Sequence, residues 1–186
     1  MPARLRCSLL CEDNEHERLF RPILERNGRV RVRVEPRRKE GGFPFVLARL
    51  ADAARFLLHH PGEAVGLLVV IDADVEGFQR RNEKIRDAMY KAGLEDRHMD
   101  RVALCIPARN VETWELWLCG ERDLDEQTDF KSRFQREIKP GLRPRQLVEA
   151  WFAELTAAQK KQEAGILPAL ALGREEIRRL RNFSKP

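Results

Sequence analysis

Near its middle, the chain reads Leu67-Leu68-Val69-Val70-Ile71-Asp72-Ala73-Asp74. The apolar run is rich in β-branched residues, which predicts a buried strand, and the two aspartates one residue apart predict that this strand delivers paired acids to the edge of a sheet. An alternative explanation is that Asp72 and Asp74 only end the strand and cap the helix that follows. The residues at the other strand ends are needed to choose between the two.

Apolar runs and helical periodicities alternate along the chain. Short apolar stretches predict strands at about residues 5–11, 29–34, 67–71 and 102–106, and a helical pattern follows each of them. This alternation is expected of a parallel sheet that is covered on both faces. We therefore predict an α/β, Rossmann-like fold with a mostly parallel sheet of about four strands flanked by helices, and with further helices at the C-terminus.

The length of 186 residues suits one well-buried domain better than two. We assign residues 1–120 to the α/β core and residues 121–186 to a C-terminal helical extension that packs on the same domain. The beginning of the extension is polar and irregular. Two terminal helices are predicted after it, at about residues 144–160 and 168–182.

The composition, with 42% hydrophobic and 35% charged residues, is typical of a globular protein in water. No segment approaches the roughly 20 apolar residues that a membrane span needs, and the N-terminus does not resemble a signal peptide. We therefore expect a cytoplasmic protein with no membrane partner. The cysteines lack the spacing of a zinc site and are expected to be reduced and mostly buried.

Acidic residues follow three of the predicted strands. Glu12 and Asp13 follow the first, Asp72 and Asp74 follow the third, and Glu112 comes a few residues after the fourth. The carboxyl ends of parallel strands meet at one edge of the sheet, where these folds bind ligands. Carboxylates brought together without a cation would repel each other, whereas Mg²⁺ and Mn²⁺ prefer oxygen ligands. The pattern therefore predicts a site for one of these two ions.

Two of the neighbouring acids have structural explanations as well. Glu17 is a candidate for a further acid of the site, but Asn14 with Glu17 three residues on also matches a capping box at the start of a helix. Asn110 is the expected cap of the helix that carries Glu112. A carboxylate in a first helical turn also interacts favourably with the helix dipole, and this explanation of Glu112 stays open.

Basic residues give candidates for binding a nucleic-acid backbone. The modest surplus of 35 Lys and Arg over 30 Asp and Glu permits a polyanionic partner without requiring one. We take the following as candidate contacts: Arg80, Arg81, Lys84, Arg109, Arg178 and Arg181. The alternating residues 29–34 (RVRVRV) predict a strand with one face of arginines, which either protects a sheet edge or contacts phosphate.

These residues together resemble the Toprim domain, the metal-binding α/β module of topoisomerases, bacterial primases and OLD-type nucleases of phage defence. The resemblance covers about residues 4–120 and rests on Glu12 after the first strand and on Asp72-Ala73-Asp74 after a later one. The segment from Pro107 to Trp114 also resembles the P-x-x-x-(I/V)-E-x-W pattern of small Toprim-like proteins from bacterial defence contexts.

The resemblance implies Mg²⁺-dependent nuclease chemistry on DNA or RNA, with Glu12 as general acid/base or ligand and the two aspartates as ligands. It also implies a lysine near the end of the domain, for which Lys131 and Lys139 are both candidates. The chain has no P-loop motif, so an ATPase or other defence-system subunit would be a separate partner.

Two other functions stay open. Asp13 stands where the Toprim glutamate is usually followed by Gly, which leaves room for a non-catalytic subunit that binds nucleic acid or protein. A receiver-like phosphoacceptor domain would also place two acids after its first strand and an aspartate, here Asp72, after its third.

Overall fold

The computed structural model describes residues 4–36 and 41–183 of the chain. The described residues contain one sheet, whose strands are β1 (Leu5–Cys11), β2 (Val30–Val34), β3 (Val65–Val70) and β4 (Val102–Cys105). Their order across the sheet is β2-β1-β3-β4, and every neighbouring pair is parallel. The prediction of an α/β fold with a parallel sheet of about four strands is therefore confirmed.

Helices connect the strands and follow the last of them. The helices that alternate with the strands are α1 (Asn14–Glu25), α2 (Phe43–Leu58), α3 (Phe78–Lys91) and α4 (Val111–Leu118). The C-terminal helices are the short α5 (Lys131–Arg133), which continues as a π-helical turn over Phe134–Ile138, then α6 (Pro144–Phe152), α7 (Ala157–Ile166) and α8 (Pro168–Phe183).

The sheet separates two hydrophobic clusters, as the alternation of side chains along a strand requires. Odd-numbered residues of β1, such as Cys7 and Leu9, face a cluster that includes residues of α1, α4, α6 and α8. Leu10 of β1 and Val69 of β3 face the other cluster, which α2 and α3 complete. Because α6 and α8 share the first cluster with the sheet, the C-terminal helices bury apolar surface against the core.

Two details of the helices differ from the sequence prediction. The N-cap of α1 is Asp13, whose Oδ1 accepts hydrogen bonds from the main-chain N–H groups of Glu15 and His16, so the predicted capping box of Asn14 and Glu17 is wrong. The single helix predicted at 144–160 is two helices, because a new helix begins after Thr156 with a capping box of its own.

The two edges of the sheet are different. At the β4 edge, Glu176 of α8 accepts a hydrogen bond from the main-chain N–H of Leu104, and Arg179 donates to the carbonyl of Val102. At the β2 edge, Arg31 and Arg33 are exposed, which confirms an edge strand with charged residues on one face. No helix within the described ranges is long and apolar enough to cross a membrane.

Candidate metal centre

The ends of β1, β3 and β4 meet at the carboxyl edge of the sheet. Glu12 follows β1 directly, and its Oε2 accepts a hydrogen bond of 3.1 Å from the main-chain N–H of Asp72. Beyond β3, the N–H of Ala73 donates to the carbonyl of Pro107, which follows β4, over 2.8 Å. These bonds hold Glu12 beside Asp72 and join the ends of β3 and β4.

His16 lies between two of the acids and is fully buried. Its Nδ1 is 2.7 Å from Asp13 Oδ1, and its Nε2 is 3.0 Å from Asp72 Oδ1. Burial alone would lower the pKa of His16, but the adjacent carboxylates of Asp72 and Asp13 raise it well above its ordinary value. A protonated imidazole has two N–H donors, so His16 can donate to both carboxylates at once and orient Asp72.

The same contacts act on the acids. Burial opposes ionisation of Asp13, but its hydrogen bond and charge interaction with His16 lower its pKa well below the usual range. The pKa of Glu12 is raised, first by burial and then by the negative charge of Asp72, while His16 acts in the opposite direction. Glu12 and Asp72 therefore repel each other in a site that is partly closed to water.

Glu12, His16 and Asp72 each offer one ligand atom, and these atoms lie within 4.8 Å of one another. Two carboxylates at this separation fit a hard divalent cation, which prefers oxygen donors and relieves their repulsion. His16 already uses both ring nitrogens on carboxylates, so in this arrangement it supports Asp72 from behind. Glu12 and Asp72 are thus the residues that could hold a divalent cation.

Glu112 lies in the first turn of α4, whose N-cap is Asn110 as predicted. Its side chain is buried, and neither carboxylate oxygen has a hydrogen-bond partner among the described residues. Burial raises the pKa of Glu112, and the charge of Asp72 raises it further. Lys131 Nζ lies 4.0 Å from Glu112 Oε1. A buried carboxylate beside Asp72 that accepts no hydrogen bond and has only Lys131 as a counter-charge costs free energy, which a bound cation would offset.

Asp74 lies further from the centre than its spacing suggested. It occupies an exposed 3₁₀ turn, Asp74–Glu76, at a φ of 51°, and its side chain is 54% exposed. Neither this turn nor α3 has a side-chain cap, so capping is not the role of Asp72 or Asp74. Asp74 is outside the group of close ligand atoms formed by Glu12, His16 and Asp72.

Arg81, one of the predicted contacts for a nucleic-acid backbone, is buried on α3. Only 7% of its side chain is exposed, and its guanidinium lies 3.4 Å from Glu76, 3.7 Å from Asp74 and 4.1 Å from the centre of the Phe43 ring. Arg81 therefore braces the acidic turn and is not placed to contact a nucleic acid. The prediction is wrong for Arg81 because its guanidinium is buried, whereas Arg80 and Lys84 on the same helix are exposed.

The other basic candidates fall into two groups. Arg80 and Lys84 are exposed on α3 near the acids, and Arg109 precedes the cap of α4 at the same edge. Arg178 and Arg181 belong to α8, where Arg181 donates to the carbonyl of Arg26 at the end of α1, which places them at the opposite edge of the sheet. Glu17 lies along α1, with its Oε1 3.5 Å from Arg21.

A second layer of charges supports the acids. Arg18 donates two hydrogen bonds, of 2.6 and 2.7 Å, to the fully buried carboxylate of Glu115. Glu15 lies 2.8 Å from Arg18 and 2.6 Å from Lys139. Burial raises the pKa of Glu115 to about 8 despite the arginine. This network ties α1, α4 and the segment before α6 together, and it occupies Lys139.

Sequence reasoning missed His16, Arg18 and Glu115 as parts of the site. His16 is recognisable in hindsight, because it lies on the apolar stripe of α1 at i, i+3, i+4 and i+7 with Leu19, Phe20 and Ile23. A ring on such a stripe is buried and needs polar partners. Of the two candidate lysines, Lys131 is the one near the acids. Burial lowers the pKa of Lys131, but the negative charges of Glu112, Asp13 and Asp72 together outweigh burial and raise it.

Comparison of the chain with protein-family models, with curated proteins and with solved structures returned no match. The resemblance to the Toprim domain therefore stays a prediction from the residues quoted above. The function has to be argued from the site itself.

Proposed function

We propose that the chain is a cytoplasmic, divalent-metal-dependent nuclease that hydrolyses phosphodiester bonds of DNA or RNA, and that it belongs with the Toprim-like proteins. The observation that supports this most is the joining of Glu12 to Asp72 by a main-chain hydrogen bond beside the buried carboxylate of Glu112, which accepts no hydrogen bond from the described residues. Clustered carboxylates at the carboxyl edge of a parallel sheet are the arrangement that a hard cation stabilises.

In this proposal Glu12 and Asp72 hold Mg²⁺ or Mn²⁺, with Glu112 and Asp74 as further acids around it. When bound, such an ion polarises a phosphate and lowers the pKa of a water molecule that can attack it. His16 keeps Asp72 in one orientation. These groups are held by strand ends and by the first turn of a helix, so little reorganisation is needed for substrate binding.

The cationic residues near the acids have a separate role in the proposal. Lys131 places an ammonium beside Glu112, where it can neutralise a non-bridging phosphate oxygen. Arg80, Lys84 and Arg109 lie at the same edge of the sheet and would hold the adjoining backbone phosphates. An ATPase or another subunit of a defence system would act as a separate chain.

The proposal is tested by Mn²⁺ binding and by cleavage of DNA and RNA in the same preparations. Asp72→Asn and Glu12→Gln keep the size of each side chain and remove its charge. We expect both variants to weaken Mn²⁺ binding at least about tenfold and to lower cleavage about 100-fold or more. Asp87→Asn, an exposed substitution on α3, is the matched control and should change neither property.

Circular dichroism of each variant separates loss of the site from loss of the fold. Cleavage that continues undiminished in both folded site variants would contradict the proposed nuclease. Mn²⁺ binding without cleavage of any nucleic acid would instead favour the non-catalytic, Toprim-like binding subunit, for which Asp13 in place of Gly is the sequence argument.

The strand order favours one further candidate. The order β2-β1-β3-β4 equals the first four positions of the 2-1-3-4-5 order that receiver-like domains share with flavodoxins. A receiver-like function predicts that a small phosphodonor labels Asp72. The described residues contain no fifth strand, and the carboxylate of Asp72 is engaged by His16, so this function ranks behind the nuclease.

A further inference from the structure

A cavity of about 780 Å³ lies at the opposite edge of the sheet from the acids. Its wall includes Arg29, which precedes β2 and whose carbonyl accepts a hydrogen bond from the N–H of Leu5 at the start of β1. The remaining wall comes from the end of α6 and the turn after it, from α7 and from α8. The size is within the range of roughly 300–1,000 Å³ that is typical of small-molecule sites.

Positive charge predominates in this cavity. Five basic side chains line it: Arg29, Lys160, Arg174, Arg178 and Arg181. Three acids also line it, but Glu163 is already engaged, because it lies 3.2 Å from Arg174 and accepts a hydrogen bond from the indole of Trp117. With Glu163 paired to Arg174, four basic side chains remain against Glu154 and Glu175, so the acids offset only part of the positive charge.

The arginines next to the cavity are crowded around one aromatic ring. The guanidinium carbons of Arg26 and Arg181 lie 4.4 and 4.6 Å from the centre of the Phe152 ring. Nη1 of Arg26 is buried and has no hydrogen-bond partner among residues 4–36 and 41–183. Burial lowers the pKa of Arg181, and the positive charges of Arg26 and Arg29 lower it further. An anion at this position would relieve the repulsion.

The cavity also has an apolar wall. Trp151, Leu155, Ala164, Ala171 and Ile177 contribute to it. Small-molecule sites commonly combine such a wall with a few charged groups that fix orientation, and guanidinium groups bind phosphate through paired hydrogen bonds. The cavity thus matches a ligand with one apolar or aromatic part and one doubly charged end.

We propose that this cavity binds a small phosphate monoester of the size and chemistry of a nucleoside 5′-monophosphate. The phosphate lies against Arg29, Arg178 and Arg181, and the organic part lies against the apolar wall. This site is independent of the acids at the carboxyl edge and does not rest on the nuclease proposal. It also gives Arg178 and Arg181 a role other than contact with a nucleic-acid backbone.

The test uses the full chain without divalent cations and with a chelator present, so that the acidic edge cannot bind a ligand through a metal ion. Binding of the four ribonucleoside 5′-monophosphates, of inorganic phosphate and of a short oligonucleotide without a terminal phosphate is measured by calorimetry. The variant is the double substitution Arg29→Ala/Arg178→Ala, since both side chains are exposed. The double substitution Arg55→Ala/Arg97→Ala removes the same charge elsewhere on the surface.

We expect at least one monophosphate to bind more tightly than inorganic phosphate, and the Arg29→Ala/Arg178→Ala variant to weaken its binding at least about tenfold. The control variant and Asp72→Asn should bind it as the natural chain does. The proposal is overturned if none of the monophosphates binds, or if the variant and the control lose affinity equally. Tighter binding of the oligonucleotide than of every monophosphate would also overturn it, in favour of a backbone contact.

Discussion

The carboxyl edge of the sheet, where the strands end, and the amino edge, where they begin, carry opposite charges. At the carboxyl edge, His16 and Arg18 lie directly against carboxylates, but the buried carboxylate of Glu112 accepts no hydrogen bond from the described residues. At the amino edge, Arg26 and Arg181 lie against one aromatic ring, and Arg181 also donates to the main-chain carbonyl of Arg26. The comparison indicates that each edge is neutralised only in part by its own contacts, so that each would be stabilised by a ligand of the opposite charge.

The largest expected effect concerns the internal neutralisation at the acidic edge. Burial raises the pKa of Glu115 to about 8, so the folded chain keeps a proton that the unfolded chain loses near its ordinary value of 4.5. This contribution to stability is complete below about pH 4.5 and is lost as the pH rises towards 8. Because one pKa unit equals about 1.4 kcal/mol, the free energy of unfolding falls by up to about 5 kcal/mol across this range.

Urea unfolding at about pH 5 and about pH 9 measures this dependence. The Glu115→Gln variant should lose less stability between the two pH values than the natural chain does. Glu149→Gln, on the exposed side of α6, serves as the control and should keep the full dependence. Equal slopes for the natural chain and the Glu115→Gln variant would show that Glu115 is ionised throughout.

Removal of the partner of Glu115 should have the next largest effect. Arg18→Met keeps most of the apolar stem and removes the Nη2 group that donates to both oxygens of the fully buried Glu115 side chain. We expect a loss of about 3 kcal/mol in the free energy of unfolding at about pH 9, where Glu115 is ionised and would be left as an unpaired buried charge. Arg21→Met, one turn away with half of its side chain exposed and with ion pairs at 3.5 Å, should cost less than about 1 kcal/mol. Similar losses for the two variants would contradict the distinction between the buried ion pair of Arg18 and the exposed ion pairs of Arg21.

Ligands of opposite charge provide the most direct comparison of the two edges. At 100 times its dissociation constant, Mn²⁺ should raise the free energy of unfolding by about 2.7 kcal/mol. Asp72→Asn should remove this stabilisation and keep that of a nucleoside monophosphate, while Arg29→Ala/Arg178→Ala should do the reverse. Chemical unfolding of the three proteins with each ligand measures both. If either variant abolished both effects, the two edges would not be independent sites.

The smallest expected effect tests the support of the acidic turn. Arg81→Met removes the guanidinium that lies near Asp74 and Glu76 and against Phe43. We expect a loss of about 1–2 kcal/mol in stability and Mn²⁺ binding that is a few-fold weaker, because the turn that follows Asp72 is less well held. Arg86→Met, exposed on the same helix, should leave both unchanged, and an equal response of the two variants would argue against a bracing role.

The sheet could be predicted because its strands carry strong local patterns. The continuous apolar run of β3 belongs to a strand buried on both faces, and the alternation of β2 belongs to an edge strand. The positions of Glu12 and Asp72 followed from the same logic, since both come directly after such runs.

The remaining features depend on contacts between distant residues or on choices between neighbours. Asp13 and Asn14 are equally good caps by residue type, and only the geometry of the chain selects Asp13. The break between α6 and α7 contains neither Gly nor Pro, so its local signal was the capping box that begins at Thr156. The ion pair of Arg18 with Glu115 spans 97 positions of sequence, and no periodicity reports it.

The β4 edge and the β2 edge of the sheet would respond differently to ionic strength. On β4, the main-chain N–H of Leu104 donates to Glu176 and the carbonyl of Val102 accepts from Arg179, and these bonds to α8 are partly shielded from solvent. The outer face of β2 carries Arg31 and Arg33 in the open, so repulsion between two such strands is the obstacle to their pairing. Salt screens exposed charges over about 8–10 Å. High salt should therefore favour self-association of the chain through β2. The substitution Arg31→Glu, which replaces a positive by a negative charge, should favour it even in dilute buffer.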